Sequence, residues 1–404
     1  MDFFRKNFKG DANIWAIIIG LSIFSLLAVY SSTGTLAYRW RGGDTTAYIL
    51  KHAIYLGIGL LATFTIHRLP YKFYARLSQL LIWLVPLALL FTLLMGVDEN
   101  VATRRLQIFG ITFQTSDAAK LILIMFLART LAAKQEQIHD FQHTLLPAFF
   151  WVLIVCGPIL PANFSTAGLL FATCVALLFV GRCRFLHLAG LVAVTIVAGG
   201  LAIGGLYELK KLGVDNVLTQ RAPTWVNRIT GESGHYQANQ ARIAIGTAGF
   251  FGRGPGNSIQ RNFMPHPYSD FIFAIIIEEY GIVGGLFILA LYLALLYRTV
   301  IIVRKCERTF PAFLAIGLTF SIVFQALINM LVAVGIFPVT GQPLPLISMG
   351  GTSILFTCIA LGIILGISRE LKEQEEKAMQ KKTVPAADTG SNGKQTENFE
   401  NTES

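Results

Sequence analysis

The chain has 404 residues, of which 54% are hydrophobic and only 14% charged, with a formal net charge of +10. Soluble domains carry about 25% charged residues, so this composition excludes a disordered chain or a nucleic-acid-binding tail and argues against ordinary soluble domains. A positive balance on so apolar a chain points to a membrane rather than to DNA, and it is unevenly placed: beyond Arg369, five lysines face eight acids.

A helix needs about 20 mostly apolar residues to cross a bilayer. Runs of that kind fall at 13–32, 52–67, 76–96, 116–133, 145–161, 166–181, 186–206, 270–296, 310–337 and 350–368. The expected fold is therefore an all-α integral membrane protein of about ten spans. The first run lacks a small-residue cleavage site and reads as a span, not as a removable signal. Basic residues set the orientation, because cytoplasmic segments are enriched in Lys and Arg. With the N-terminus inside, the inner segments hold sixteen basic residues, among them Arg5, Lys72, Arg129, Arg184, Arg304 and Arg369, while the short outer loops hold five. Both termini are thus expected in the cytoplasm. The five cysteines (Cys156, Cys174, Cys183, Cys306, Cys358) show no CxxC spacing, which argues against a disulfide scaffold or a zinc site.

Two segments break the pattern. Residues 207–269 form the long outer connection between spans 7 and 8, with aromatic residues such as Trp225 and Phe250 that suggest short helices at the interface. From Glu370 the chain is polar, and 370–404 is expected to be a disordered cytoplasmic tail behind a membrane domain of residues 1–369.

Ionisable groups within spans are expensive, which makes them functional candidates. Lys120 lies one turn into span 4, and it either serves a site or snorkels to outer headgroups. Asp270 follows Ser269 where span 8 opens, an ordinary position for a helix N-cap as well as for a reactive carboxylate. Glu278 and Glu279 lie about 12 Å deeper on the same helix and off the Asp270 face; they read as structural, paired with basic residues of neighbouring helices near the inner half. The outer loop carries Lys210, Lys211, Arg221, Arg228, Arg242, Arg253 and Arg261 against Glu208, Asp215 and Glu232. That excess suits an anionic ligand such as a lipid diphosphate, or acidic headgroups. The stretch Gly249 to Ser258, GFFGRGPGNS, reads as a tight turn or an anion-binding nest of backbone amides. Pro338 to Ser353 is rich in Pro and Gly, and irregular backbone at that depth is tolerated only when buried or lining a cavity.

The runs YQANQARIAIGTAGFFGRGPGNSIQRNFMPHPYSDFIFAIIIEEYGIVGG and PVTGQPLPLISMGGTSILF resemble the SEDS family (shape, elongation, division and sporulation) over residues 13–369, with GxGNSxQ closer to its division-type branch. The resemblance implies a ten-span bacterial inner-membrane enzyme, at the division septum, that polymerises lipid II into peptidoglycan. It makes Asp270 of DFIF the essential catalytic carboxylate. Lys120, Arg242, Arg253, Gln237, Gln240, His266, Ser348, Gly350, Gly351, Thr352 and Ser353 would contact substrate. The sequence departs from the family pattern at Leu106, Thr115, Asp117 and Met349.

The implied partners are lipid II and the growing lipid-linked glycan, a class B penicillin-binding transpeptidase, other division proteins and membrane lipids, with no nucleic acid. In the implied reaction, Asp270 takes the proton of a sugar 4-hydroxyl that attacks an anomeric carbon. A polyprenyl diphosphate leaves toward cations, with no certain cofactor and a divalent ion (Mg or Mn) as an addition at the diphosphate. A lipid II flippase and a non-catalytic division scaffold are the alternatives. Neither requires a base at Asp270.

Overall fold

The computed structural model describes residues 9–34, 45–95, 97–99, 102–108, 111–214, 216–229, 235–265 and 267–383. Twelve α-helices are described: α1 (Ala12–Ser32), α2 (Thr46–Ile66), α3 (Tyr71–Met95), α4 (Thr115–Ala133), α5 (Leu146–Ala162), α6 (Phe164–Val180), α7 (Phe185–Lys211), α8 (Val217–Ile229), α9 (His235–Ala248), α10 (Ile272–Lys305), α11 (Thr309–Ala333) and α12 (Thr352–Thr383). Eight of them, α1, α2, α3, α5, α7, α10, α11 and α12, are long and apolar enough to cross a membrane. The two further expected spans fall short for different reasons. Helix α6 has only 17 residues, and α4 carries three charges, Asp117 and Lys120 in its first turns and Arg129 further on. Both still pack inside the bundle, where α4 buries Leu123, Ile124, Leu127 and Leu131.

Between α3 and α4 the expected loop contains three short antiparallel strands, β1 (Val97–Glu99), β2 (Ala102–Ile108) and β3 (Ile111–Phe113), in the order β1-β2-β3. The β2–β3 pairing sets Leu106 opposite Phe113. A short connection that turns back on itself satisfies its backbone locally by such pairing.

Close helix contacts rely on small residues, as expected where lipid gives helices no hydrophobic reason to associate. A Cβ on Gly59 of α2 would sit 2.7 Å from Cys358 Sγ of α12. Beside it Thr63 Oγ1 donates to the Cys358 carbonyl at 2.9 Å.

The chain ends meet at one end of the bundle, the inner end of the sequence reading. Asp11 caps α1 by accepting from the amides of Asn13 and Ile14, and it pairs with Arg298 of α10. Burial alone would raise the Asp11 carboxyl, but Arg298 and those two amides outweigh it and hold the group below the ordinary carboxylate value. Helix α12 does not stop at the expected span end. Residues 370–383 continue the helix, where Glu370 accepts from Tyr71 N (2.8 Å), Glu373 pairs with Lys9 (3.3 Å) and Glu375 with Lys305 (3.1 Å). The first part of the expected disordered tail is thus helical, because its acids meet the inner basic fringe. Residues 384–404 lie outside the described residues.

Candidate functional site

Helix α10 begins at Ile272 with Phe271 at its N-cap and no side-chain capping bond. Asp270 therefore precedes the cap position. Its carboxylate, half-buried, accepts the Ser269 hydroxyl at 2.7 Å. The N-cap reading of Ser269–Asp270 is corrected: the acid is free of helix duty.

The backbone around Asp270 is fixed from two sides. Asn329 Nδ2 of α11 donates to the Asp270 carbonyl (2.8 Å) and to the Gln342 carbonyl (2.7 Å). From the irregular segment after α11, Ser348 Oγ donates to Ser269 O (2.7 Å) while accepting from Leu344 N, and Met349 N donates to Tyr268 O (3.0 Å). Gly341, at φ +65°, brings backbone so near that a Cβ there would lie 3.5 Å from Asp270 Oδ2. The Pro- and Gly-rich connection is thus a buried brace for this acid, as its depth requires.

Lys120 is 8% exposed and does not snorkel. Its ammonium pairs with Asp117 Oδ1 at 2.8 Å and donates to Gln325 Oε1 at 3.2 Å. A buried ammonium left without such partners would be costly. Gln325 in turn donates to Pro343 O at 2.9 Å. Asp117, Lys120 and Gln325 line a small cavity of about 40 Å³ together with Ser321, Ser353 and Thr357. Among the described residues, Asp117 Oδ2 has no hydrogen-bond partner. Gln325 and Asn329 are four residues apart on α11, a rise of about 6 Å. One face of that helix therefore holds the Lys120 head at one turn and the Asp270 backbone at the next.

The buried glutamates occupy a different setting. Helix α10 breaks at Gly281 (φ 71°, ψ −175°), and the loop after α9 fills the break. Arg253 N and Gly254 N donate to the carbonyls of Glu278 and Glu279 at 2.9 Å each, while Ile282 N and Val283 N donate to Gly249 O and Phe250 O. Freed backbone groups at membrane depth need such partners. The approach demands glycine on both sides. A Cβ on Gly281 would lie 2.0 Å from Phe250 O, and one on Gly252 would lie 2.3 Å from Glu279 O. The following amides then bind the carboxylates: Ile259 N and Gln260 N reach Glu278 at 3.0 and 3.3 Å, and Ser258 N reaches Glu279 at 3.3 Å. The Ser258 and Ser31 hydroxyls add bonds to Glu278 and Glu279 respectively. Within the Gly249–Ser258 stretch the amides of Arg253 and Gly254 go to backbone carbonyls and that of Ser258 to Glu279, while the other carboxylate contacts come from Ile259 and Gln260, just beyond it. Glu278 and Glu279 are structural as expected, but they serve the outer loop instead of basic residues on neighbouring inner helices.

The remaining expected contacts are dispersed. Arg242 of α9 donates to Gly335 O at 3.2 Å, beyond the C-terminus of α11, where a cation suits the helix dipole. The Arg253 guanidinium lies 3.9 Å from Glu278. Gln237 and Gln240 are half-buried on α9, and His266 lies outside the described residues. Thr352 Oγ1 accepts from Gln114 N at 3.4 Å, Gly350 O accepts from Ser353 N at 3.0 Å, and Gly351 takes φ +52° at the entry to α12. Sequence reasoning passed over Gln325, Asn329 and Gln342. The first two were detectable as amides at i and i+4 in an apolar span. Gln342, which donates to Thr166 Oγ1 at 2.7 Å, carried no such signal.

Among the described residues, no group of three or more His, Cys, Asp or Glu gathers to hold a metal ion. Around Asp270 the donor set is one carboxylate, whereas a protein-held divalent ion takes several oxygens. The described residues around Asp270 do not form a resident metal site.

A helical bundle that gathers an uncapped acid, a buried lysine and a braced irregular segment defines a polytopic membrane protein with a polar site between its spans. The chain belongs to the FtsW/RodA/SpoVE family of cell cycle proteins, whose model matches residues 11–373. It is 32% identical to the probable peptidoglycan glycosyltransferase FtsW of Coxiella burnetii, over 91% of this chain and 98% of that protein. It is 31% identical to the stage V sporulation protein E of Bacillus subtilis, over 89% and 98%. Its fold is that of the rod shape determining protein RodA of Thermus thermophilus, with a TM-score of 0.65 at 24% identity over 89% of this chain and 97% of RodA. A chain of a peptidoglycan synthase complex that coordinates polymerization and crosslinking matches with a TM-score of 0.66 over 90% and 98%.

Proposed function

We propose that this chain is a peptidoglycan glycosyltransferase that polymerises lipid II during division, with Asp270 as general base. The observation that carries the reading is the state of Asp270: Asn329 holds its carbonyl and Ser348 that of the preceding Ser269, while its carboxylate accepts only Ser269 among the described residues. A sugar hydroxyl is a weak nucleophile, and a positioned carboxylate that takes its proton contributes about 10²–10⁴-fold. The 4-hydroxyl of one lipid-linked disaccharide attacks the anomeric carbon of the lipid-linked glycan as its proton passes to Asp270. The bond to the polyprenyl diphosphate breaks in the same displacement, which inverts an α-linked donor to a β-linked product. The diphosphate leaves without protonation, and Lys120 is the expected cation that lines the cavity. Arg242 and Arg253 have other partners and contribute to the field, not to direct contact. No step is routed through a metal ion.

The relatives named FtsW support the division role, and the synthase complex supports a class B penicillin-binding transpeptidase as partner. The basic inner fringe supports placement in the bacterial inner membrane with both termini cytoplasmic.

The test is glycan polymerisation from lipid II by the purified chain, with and without its transpeptidase. Asp270→Asn is expected to abolish polymer while leaving the melting temperature unchanged. Normal polymer from that variant sinks the base assignment and returns the flippase and scaffold readings.

A further inference from the structure

A second charged site lies at the inner end of the bundle, far in sequence from the catalytic residues. Lys72 and Arg76 on α3, Arg129 on α4 and Arg308 just before α11 face one open cleft of about 660 Å³. They come from three separate elements, so no single basic run produces the convergence. Glu307 is the acid on its rim. None of the four cations has a carboxylate within salt-bridge distance among the described residues. Elsewhere at this end Lys9, Lys305 and Arg369 have acids of α12 beside them. Arg129 is anchored by donating to Ala75 O, which orders one cation at the cleft wall. Apolar Ala75, Ala132, Ala133, Phe310 and Pro311 lie beside the cations, with Tyr71 and the polar Thr309 completing the lining, and Phe310 is braced by the Tyr71 ring at 6.2 Å.

We propose that this cleft binds the phosphate headgroup of an anionic phospholipid, with an acyl chain lying on the Ala132–Ala133–Phe310 wall. Several cations without acidic partners match a group that carries more than one negative charge, and guanidinium groups pair with phosphate in bidentate fashion. Basic pockets between spans at a membrane surface hold lipid headgroups by this logic. A lipid is favoured over free phosphate because apolar residues lie beside the cations, giving an attached chain a surface to cover. A general basic fringe needs no cleft and no convergence, and that difference is measurable. The site is independent of the catalytic reading.

The experiment uses the full chain in phosphatidylcholine nanodiscs doped with diphosphatidylglycerol, with retained lipid read by native mass spectrometry and stabilisation by thermal unfolding. Wild type is expected to retain diphosphatidylglycerol and to melt higher with it. The variant K72Q/R76Q/R308Q is expected to lose binding by about tenfold or more, the equivalent of about 1.4 kcal/mol. K72R/R76K/R308K is expected to keep it, and so is R182Q/R184Q, which removes two exposed cations from another inner loop. Equal retention by the triple Gln variant overturns the site. Equal loss in R182Q/R184Q also overturns it, since it reports only a diffuse basic fringe. If inorganic phosphate alone raises the melting temperature as much as the lipid does, the ligand is a free phosphate and the lipid assignment falls. Should the triple variant lose its monodisperse elution profile, Arg308→Gln alone carries the same comparison.

Discussion

Asp270 and Glu278 stand eight positions apart on one stretch of chain, and their surroundings have opposite effects. Glu278 is 0% exposed and receives two amides and a hydroxyl from the loop that crosses the break in α10. A carboxylate so bonded has its lone pairs committed to the loop. Asp270 has its backbone fixed instead and its carboxylate left with one hydroxyl. The first arrangement uses an acid to hold structure. The second uses the surrounding structure to fix the acid's backbone and leaves its carboxylate open, which is what the proposed base would need. Burial depth alone would have ranked them the other way.

That contrast can be broken experimentally, beginning with its catalytic half. Asp270→Asn should lower lipid II polymerisation by about two to four orders of magnitude, measured by gel analysis of glycan products, with little change in thermal unfolding. A large stability loss in that variant would mean that Asp270 is structural after all.

Next comes the lysine site. Lys120→Met leaves Asp117 buried without its partner, at a cost of about 3–5 kcal/mol in stability. The double variant Lys120→Met with Asp117→Asn should recover most of that stability in a chemical or thermal melt. Polymerisation should stay low in the double variant if the ammonium serves the leaving group. Recovery of both would reduce Lys120 to a packing role.

The broken helix tests the structural half. Gly281→Ala puts a Cβ against Phe250 O at a positive φ and should cost about 3 kcal/mol or more, since neither steric relief nor a backbone shift is cheap there. Glu278→Gln, which keeps the shape but weakens bonds to the loop amides, should cost about 2 kcal/mol. Hydrogen exchange at residues 256–262 should then rise before any other region. Protection unchanged in both variants would refute the anchoring role.

The smallest effect concerns the inner end. The Asp11 carboxyl is held below its ordinary value by Arg298 and two amides against the opposing effect of burial. A depressed carboxylate contributes stability above its unfolded pKa and loses it as pH falls through the folded pKa. The wild type should therefore lose this increment only below the ordinary carboxylate value of 3.8, as read in melts across acid pH. Asp11→Asn should flatten that part of the profile.

Much of the fold was legible because the bilayer imposes a length and an apolar composition on each span. Eight helices answer to that signal directly. Helices α4 and α6 satisfy it less well, since α4 gives up apolarity to hold Asp117 and Lys120, and α6 is short. The tail was misjudged past Glu370 because composition ignores partners: its acids form bonds to Tyr71, Lys9 and Lys305 and extend α12 to Thr383. Asp270 and Lys120 stood out as charges in an expensive place.

The sequence by itself determined the membrane class, the inner basic fringe and the few charges worth testing, because each follows from local composition against a known solvent. Only the tertiary structure decided what those charges do. Gly252 and Gly281 look alike in sequence to any other glycine, yet only their mutual approach allows the loop to enter α10 and saturate Glu278 and Glu279. Contacts between Lys120 and Gln325, and between Asn329 and Asp270, span 205 and 59 positions. Pairings at such separations carry no periodic signal, because they are set by how helices pack and not by what each helix is made of.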